Sequence, residues 1–108
     1  MFDARVCTAN VVPGITVVIV DSVSGKPRAA EAVAVARERA FVDTLDPAVM
    51  QGNVLISRQG AHERRGIYEV VVRAPGYLDW VRTRVIVSSN DCHVNTVQLE
   101  ARLQPSAP

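Results

Sequence analysis

Residues 66–77, Gly-Ile-Tyr-Glu-Val-Val-Val-Arg-Ala-Pro-Gly-Tyr, restrict the fold more than any other stretch of this chain. In an extended backbone Tyr68, Val70, Val72 and Ala74 fall at every second position and share one face, while Glu69 and Arg73 look the other way. This is the pattern of a half-buried strand. Pro75 fixes its φ and carries no N–H, and Gly76 admits a positive φ, so the pair suits the two central positions of a type II turn just before Tyr77. Apolar, β-branched and turn-forming residues make up the stretch, and none of them is a nucleophile, an acid–base pair or a ligand cluster.

The rest of the chain agrees with a sheet protein. Its 108 residues suffice for one domain and one core. Apolar residues reach 48%, drawn largely from Val and Ala, whereas aromatics are 5%. A Val-rich chain favours sheet. The net charge of +1 lacks the basic excess that phosphate binding requires, which argues against nucleic acid as a partner. No apolar run approaches the roughly 20 residues of a membrane-spanning helix, and Met1–Arg5 does not read as a secretion signal, so any signal or lipid anchor is expected to lie outside this chain.

Taken in order, residues 1–13 form an N-terminal lead-in ending at Pro13-Gly14. Ile15–Val20 is apolar on both faces, as a strand covered on two sides would be. Asp21-Ser-Val-Ser-Gly-Lys-Pro27 has the composition of a hairpin loop. Residues 29–40 admit a helix through Ala, Glu and Arg, but Val33 and Val35 alternate and Phe41–Leu45 is itself strand-like, so a strand is favoured. Asp46-Pro47 suits the start of a short helical turn over residues 46–51, ended by Gly52-Asn53. Asn53–Arg58 offers a short strand, and Gln59–Arg65 a polar loop. After the Pro-Gly turn, residues 78–88 put Val81, Thr83, Val85 and Val87 on one face and Trp80, Arg82, Arg84 and Ile86 on the other. The last strand, within His93–Leu103, sets Val97, Leu99, Ala101 and Leu103 against polar neighbours, and 104–108 reads as a flexible tail. About seven short strands make an all-β, antiparallel two-sheet sandwich the expected architecture.

Cys7 and Cys92 lie near opposite ends of the chain. They admit two readings, a disulfide closing most of the domain or a pair of buried thiols, and their places just ahead of strands favour the bond. No metal or other cofactor is expected, since two cysteines without a Cys-x-x-Cys pair and two distant histidines match no ligand spacing.

Two stretches together, Val18–Pro27 and Gly66–Tyr77, resemble the carboxypeptidase regulatory-like domain, and the resemblance covers roughly residues 14–103. It implies a seven-stranded Greek-key sandwich of the prealbumin-like (transthyretin-like) kind over that range, found as an accessory module and as small exported bacterial proteins. Gln59–Arg65 departs from the small Asp/Gly turn usual before the Tyr strand. In such a sandwich the first and last strands can be neighbours, which supports the Cys7–Cys92 bond and, with it, an exported location: periplasmic, surface or secreted. A hydrolase of the same fold uses histidines and an arginine and ends in Tyr-Arg-Gly-Ser; this chain ends Leu-Gln-Pro-Ser-Ala-Pro, and its histidines are only His62 and His93.

No catalytic residue is therefore assigned, and a small hydrolase centred on His62 is the most distant reading. The leading expectation is a non-catalytic module that binds another protein or an envelope component, with exposed edge strands as a route to oligomers. The alternative is carbohydrate binding through an aromatic and cationic patch of Tyr77, Trp80, Arg82 and Arg84. Arg58, His62, Arg64 and Arg65 are expected to form a basic rim around the loop before the Tyr strand.

Overall fold

A computed structural model describes residues 7–106, and among them all regular structure is β. Seven strands have four or more residues: β1 Ile15–Asp21, β2 Val33–Glu38, β3 Phe41–Thr44, β7 Ser57–Gly60, β8 Gly66–Arg73, β9 Trp80–Val87 and β10 Val97–Leu103. Three two-residue segments lie between β3 and β7, namely β4 Asp46–Pro47, β5 Met50–Gln51 and β6 Val54–Leu55. One sheet runs β10, β1, β7, β4; the other runs β3, β2, β8, β9; β5 and β6 form a separate hairpin. The two four-stranded sheets pack face to face as a sandwich. Pairing is antiparallel except between β1 and β10, which run parallel from Ile15–Val97 to Asp21–Leu103. The expectation of a wholly antiparallel sandwich is corrected there, because the chain crosses to the far edge of the first sheet before β10 begins.

The core lies between the sheets. Ile15, Val17 and Ile19 of β1, Ala34 and Ala36 of β2, and Tyr68, Val70 and Val72 of β8 are buried at the alternating positions of their strands. Facing Ala34 and Ala36, the larger β8 side chains have room to fill the interior at close packing. β1 has its inner row sealed while Thr16 and Val18 are only half-buried, so one side of that strand is covered more fully than the other.

The helical turn expected over 46–51 is absent, and residues 46–51 pair instead. Asp46 faces Gln59 and Pro47 faces Arg58 on the edge of the first sheet, where a proline's missing N–H leaves no ladder donor unmet. The Ala48 N–H donates to the Ser57 carbonyl at 2.9 Å and the Ile56 N–H to the Val49 carbonyl at 2.8 Å. Gly52, with φ 63°, heads the two-residue turn of the β5–β6 hairpin. A single helical turn over 46–51 would satisfy fewer backbone groups than these cross-chain bonds, so pairing prevails over the capping signal.

The Pro-Gly turn forms as its residues dictate. Gly76 has φ 82° and the Tyr77 N–H returns to the Ala74 carbonyl at 3.1 Å. Tyr77 is then held inward: its hydroxyl donates to Asp21 Oδ2 at 2.6 Å and accepts from Arg28 Nε at 2.8 Å. Asp21 Oδ1 takes the N–H groups of Val23 and Ser24 at 2.7 and 2.8 Å, closing the β1 loop. The hydroxyl of Tyr77, followed by these backbone donors, lowers the Asp21 carboxyl from 3.8 to about 2, against the opposing effect of burial. Because its folded-state pKa is depressed, the stabilisation is complete above about pH 4 and is lost as pH falls toward 2. Thermal midpoints measured between pH 5 and pH 2 should fall more steeply for the native protein than for Asp21→Asn; equal slopes would remove Asp21 from the acid response.

Cys7 and Cys92 form a disulfide with Cα atoms 5.3 Å apart. Its neighbours fasten the described part of the lead-in: the Val12 N–H donates to Glu63 Oε2 at 3.0 Å, and Thr96 Oγ1 donates to the Pro13 carbonyl at 2.7 Å. At the other end, residues 104–106 of the expected tail are tied to the Pro-Gly corner. Leu78 N–H donates to the Gln104 carbonyl and Ser106 N–H to the Gly76 carbonyl, both at 2.9 Å. Residues 1–6 and 107–108 of the expected lead-in and tail lie outside the described residues.

Candidate interaction surface

The outward face of the β3, β2, β8, β9 sheet carries a field of branched aliphatic side chains. Strand alternation turns Val35, Val71 and Val81 outward in one row, since Val35 pairs with Val71 and Val71 with Val81. Ile67 and Ile86 form a second pair, with Val33 and Val42 at the flanks. Val33, Val42, Ile67, Val81 and Ile86 are each more than half exposed. Scattered exposed valines need no explanation, whereas a contiguous set on one sheet face is the usual mark of an interface.

Charge crosses this face: in strand register Arg37 pairs with Glu69 between the Val35, Val71, Val81 row and the Ile67, Ile86 pair, and Arg73 pairs with Val33. An open concavity of about 520 Å³ there is lined in part by Arg37, Arg39, Glu69 and Arg84. The side chains of Glu69 and of these arginines make no hydrogen bond or ion pair among the described residues, and Glu38 also lines the concavity, so three cations face two carboxylates. Glu38 is already committed: it accepts from Arg64 at 2.9 Å and from the Ile67 N–H at 2.7 Å. These hydrogen bonds, that of Ile67 foremost, keep its carboxyl below the usual range. Gly66 permits this contact, because a Cβ there would lie 2.6 Å from the Glu38 carboxylate. Arg39 and Arg84 both have left-handed backbones, with φ 53° and 56°. Ala61 and Glu63 share this conformation, with φ 51° and 52°, so it marks turns and an irregularity of β9 and not this face alone.

Arg84 owes its place to a β-bulge. Tyr68 pairs with Val85 but Val70 pairs with Arg82, so Thr83 and Arg84 together oppose Glu69. The extra residue shifts the alternation of β9. Trp80 and Arg82 therefore lie on the inner side with Val85 and Val87, whereas Val81, Thr83 and Ile86 face out. A single alternation across 78–88, as the sequence suggests, cannot accommodate the bulge.

The candidate aromatic patch is consequently divided. Tyr77 is engaged by Asp21 and Arg28, and Trp80 is half-buried against the core with the Arg82 guanidinium 5.2 Å from its ring centroid. Arg84 belongs to the concavity. The residues expected as a basic rim also separate. Arg58 donates from Nε to the Ala29 carbonyl at 2.9 Å and from Nη1 to the Leu45 carbonyl at 3.3 Å, tying two loops together. Arg64 lies 3.7 Å over the Phe41 ring and also donates to Tyr68 Oη at 3.0 Å. Only His62 and Arg65 stand exposed without such bonds.

His93 is a partner that sequence order hides. Its Nδ1 is 2.5 Å from Glu63 Oε2 and its Nε2 is 3.0 Å from Thr8 Oγ1. Burial raises the Glu63 carboxyl, and the hydrogen bonds of His93, Val12 and Val94 outweigh it and lower the carboxyl overall. Although hydroxyl, imidazole and carboxylate stand in line, Glu63 also accepts the N–H groups of Val12 and Val94. Its position is that of a clamp joining the lead-in to the loop beside the disulfide. Among the described residues no group of His, Cys, Asp or Glu is arranged to hold a metal, and no helix is long and apolar enough to cross a membrane.

No protein-family model matches the chain, and no curated protein matches it significantly.

Proposed function

We propose that this chain is a non-catalytic, exported β-sandwich module that binds an acidic segment of another protein on the outer face of the β3, β2, β8, β9 sheet. The observation that carries the reading is the set of exposed aliphatic side chains on that face, interleaved with a net-positive group in which Arg37, Arg39 and Arg84 outnumber Glu38 and Glu69. The four strands, of four, six, eight and eight residues and about 4.8 Å apart, give a footprint of about 400 Å² per partner, so a complex would bury about 800 Å² in total, the size of a weak, transient interface. The charge selects the occupant. A second copy would set Arg37, Arg39 and Arg84 near their own equivalents or against only Glu69 and the already paired Glu38, while an acidic segment complements them. Membership of the carboxypeptidase regulatory-like group and its prealbumin-like topology form part of the proposal. Support comes from the Tyr77–Asp21 bond, which joins the two stretches that carry the resemblance. An exported location draws support from the disulfide.

Photo-crosslinking in the cells that produce the protein tests this reading. A photoreactive residue at Val71 or Ile86 should yield one discrete adduct with an acidic protein, and one at Glu100, on the other sheet, should not. Charge reversal by Arg37→Glu with Arg84→Glu should cut the adduct at least about tenfold, while stability changes by no more than about 0.5 kcal/mol, because these side chains are exposed and unpaired. An adduct made only of two copies of this chain, or equal labelling from Glu100, would refute the assignment.

A further inference from the structure

Where the edges of the two sheets meet, at β9 and β10, a groove of about 270 Å³ runs between the Pro-Gly corner and the end of β10. Leu78, Asp79, Trp80 and Val81 line it from one chain segment, and Arg102 and Gln104 from the other. We infer that this groove binds a neutral pyranose residue of a polysaccharide, with the Trp80 indole as the stacking surface.

The composition of the walls carries the inference. A pyranose ring presents an apolar face of C–H groups and a rim of hydroxyls, so its site needs one flat aromatic and several polar groups able to donate and accept. Trp80 supplies the first. It is half-buried, its inner part sealing the core, and Arg82 lies over the ring at 5.2 Å from the centroid. Arg82 is not among the groove's walls. The polar groups are supplied in kind. Asp79 Oδ2 accepts from Arg73 Nε at 3.0 Å, which orients the carboxylate and leaves its other oxygen to accept from a sugar hydroxyl. Arg102 is steadied by the Ser22 carbonyl at 3.2 Å and by Glu100 at 3.5 Å. The Gln104 side chain makes no hydrogen bond among the described residues, and its amide can both donate and accept.

Two features make the groove a fixed one. The Leu78 N–H bond to the Gln104 carbonyl and the Ser106 N–H bond to Gly76 fasten the two walls to each other, so the spacing of Gln104 and Trp80 is set before any ligand arrives. Asp79 is paired with Arg73 and Arg102 with Glu100, so the groove carries no net charge, which favours a neutral sugar over a uronate or an amino sugar. The volume lies just below the roughly 300–1,000 Å³ of pockets for drug-sized ligands, as suits one ring of a longer chain lying across an open groove. The site differs from the patch expected from sequence: Trp80 is retained, and Asp79, Arg102 and Gln104 take the places of Tyr77, Arg82 and Arg84.

Trp80 is the only tryptophan of the chain, so its emission reports the groove directly. The protein is titrated with hexasaccharides of β-1,4-glucose, β-1,4-mannose, β-1,4-N-acetylglucosamine and α-1,4-glucose, with binding heats measured in parallel. At least one should shift Trp80 emission to the blue in a saturable way. Gln104→Ala, which breaks no bond within the fold, should weaken that sugar by about five- to tenfold, and Asp79→Asn by a similar factor. Absence of any saturable response across the four sugars overturns the proposal, and so does binding whose affinity is unchanged in both variants. Sugar binding that survives Arg37→Glu with Arg84→Glu is the expected control, since neither arginine lines the groove.

Discussion

Reduction of the Cys7–Cys92 bond, or its removal in a Cys7→Ser, Cys92→Ser variant, is expected to lower the unfolding free energy by about 2–5 kcal/mol. The two cysteines are 85 residues apart, so the bond closes nearly the whole domain into one loop. In the chain-entropy account a loop of this length removes about 4–5 kcal/mol of conformational freedom from the unfolded chain. For a small domain whose total stability is about 5–15 kcal/mol, this is a large share. The native sheets need not change, because the lead-in stays attached through Glu63 to Val12, Thr96 to Pro13 and His93 to Thr8. The signature in urea is therefore specific. The midpoint should fall and the slope with denaturant should rise, as an uncrosslinked unfolded chain exposes more surface, while the circular dichroism of the folded form is retained. An unchanged midpoint would mean that the bond constrains only the lead-in and not the domain.

This arrangement shows how far the residues alone could be read. The alternation of Tyr68, Val70 and Val72, and the Pro75-Gly76 turn, were legible because period and turn chemistry are local properties. The strand over Val33–Glu38 was legible for the same reason, once its neighbours were read with it. Residues 46–51 were not. Asp46-Pro47 carries an authentic capping signal, and only the presence of β7 alongside, which no local pattern reports, makes pairing the better outcome. The bulge at Arg84 is a further case: inserting one residue opposite Glu69 reverses every side chain before it relative to those after it, and nothing in Val-Arg-Thr-Arg-Val announces where the shift falls. For the candidate sites the difficulty is greater. Glu63 and His93 are 30 positions apart and meet only through the fold, as do Trp80 and Gln104. The exposed aliphatic face was visible as individual valines and isoleucines, but which of them share a side with Arg37 and Glu69 depends on register across four strands.

Tyr68→Ala should be among the most damaging single substitutions, with a loss of about 3–5 kcal/mol. Tyr68 is the largest fully buried side chain, 1% exposed, and lies at the end of the sandwich where β2, β3, β8 and the 61–65 loop converge. Its ring meets Phe41 edge-on at 6.2 Å between centroids, and its hydroxyl donates to the Arg64 carbonyl at 2.7 Å while accepting from Arg64 Nη1 at 3.0 Å. Arg64 in turn stacks on Phe41 and pairs with Glu38, whose second oxygen holds the Ile67 N–H. Removing the ring leaves a cavity and unfastens this set together. Tyr68→Phe separates the two contributions, since it keeps the ring and removes only the hydroxyl's bonds to Arg64, whose guanidinium keeps Glu38, at about 0.5–1.5 kcal/mol. Urea unfolding of both variants checks the pair; an alanine variant that loses less than the phenylalanine variant would show that the cavity collapses freely and that the hydrogen bonds dominate. The same residue bears on binding. Tyr68 anchors from inside the strand that presents Ile67, Glu69 and Val71 outside, so Tyr68→Phe should keep the crosslink at Val71 at full yield under conditions where the variant is folded. Loss of that crosslink in folded Tyr68→Phe would mean that the Arg64 and Glu38 pair, and not the outer aliphatic field, sets the geometry the partner reads.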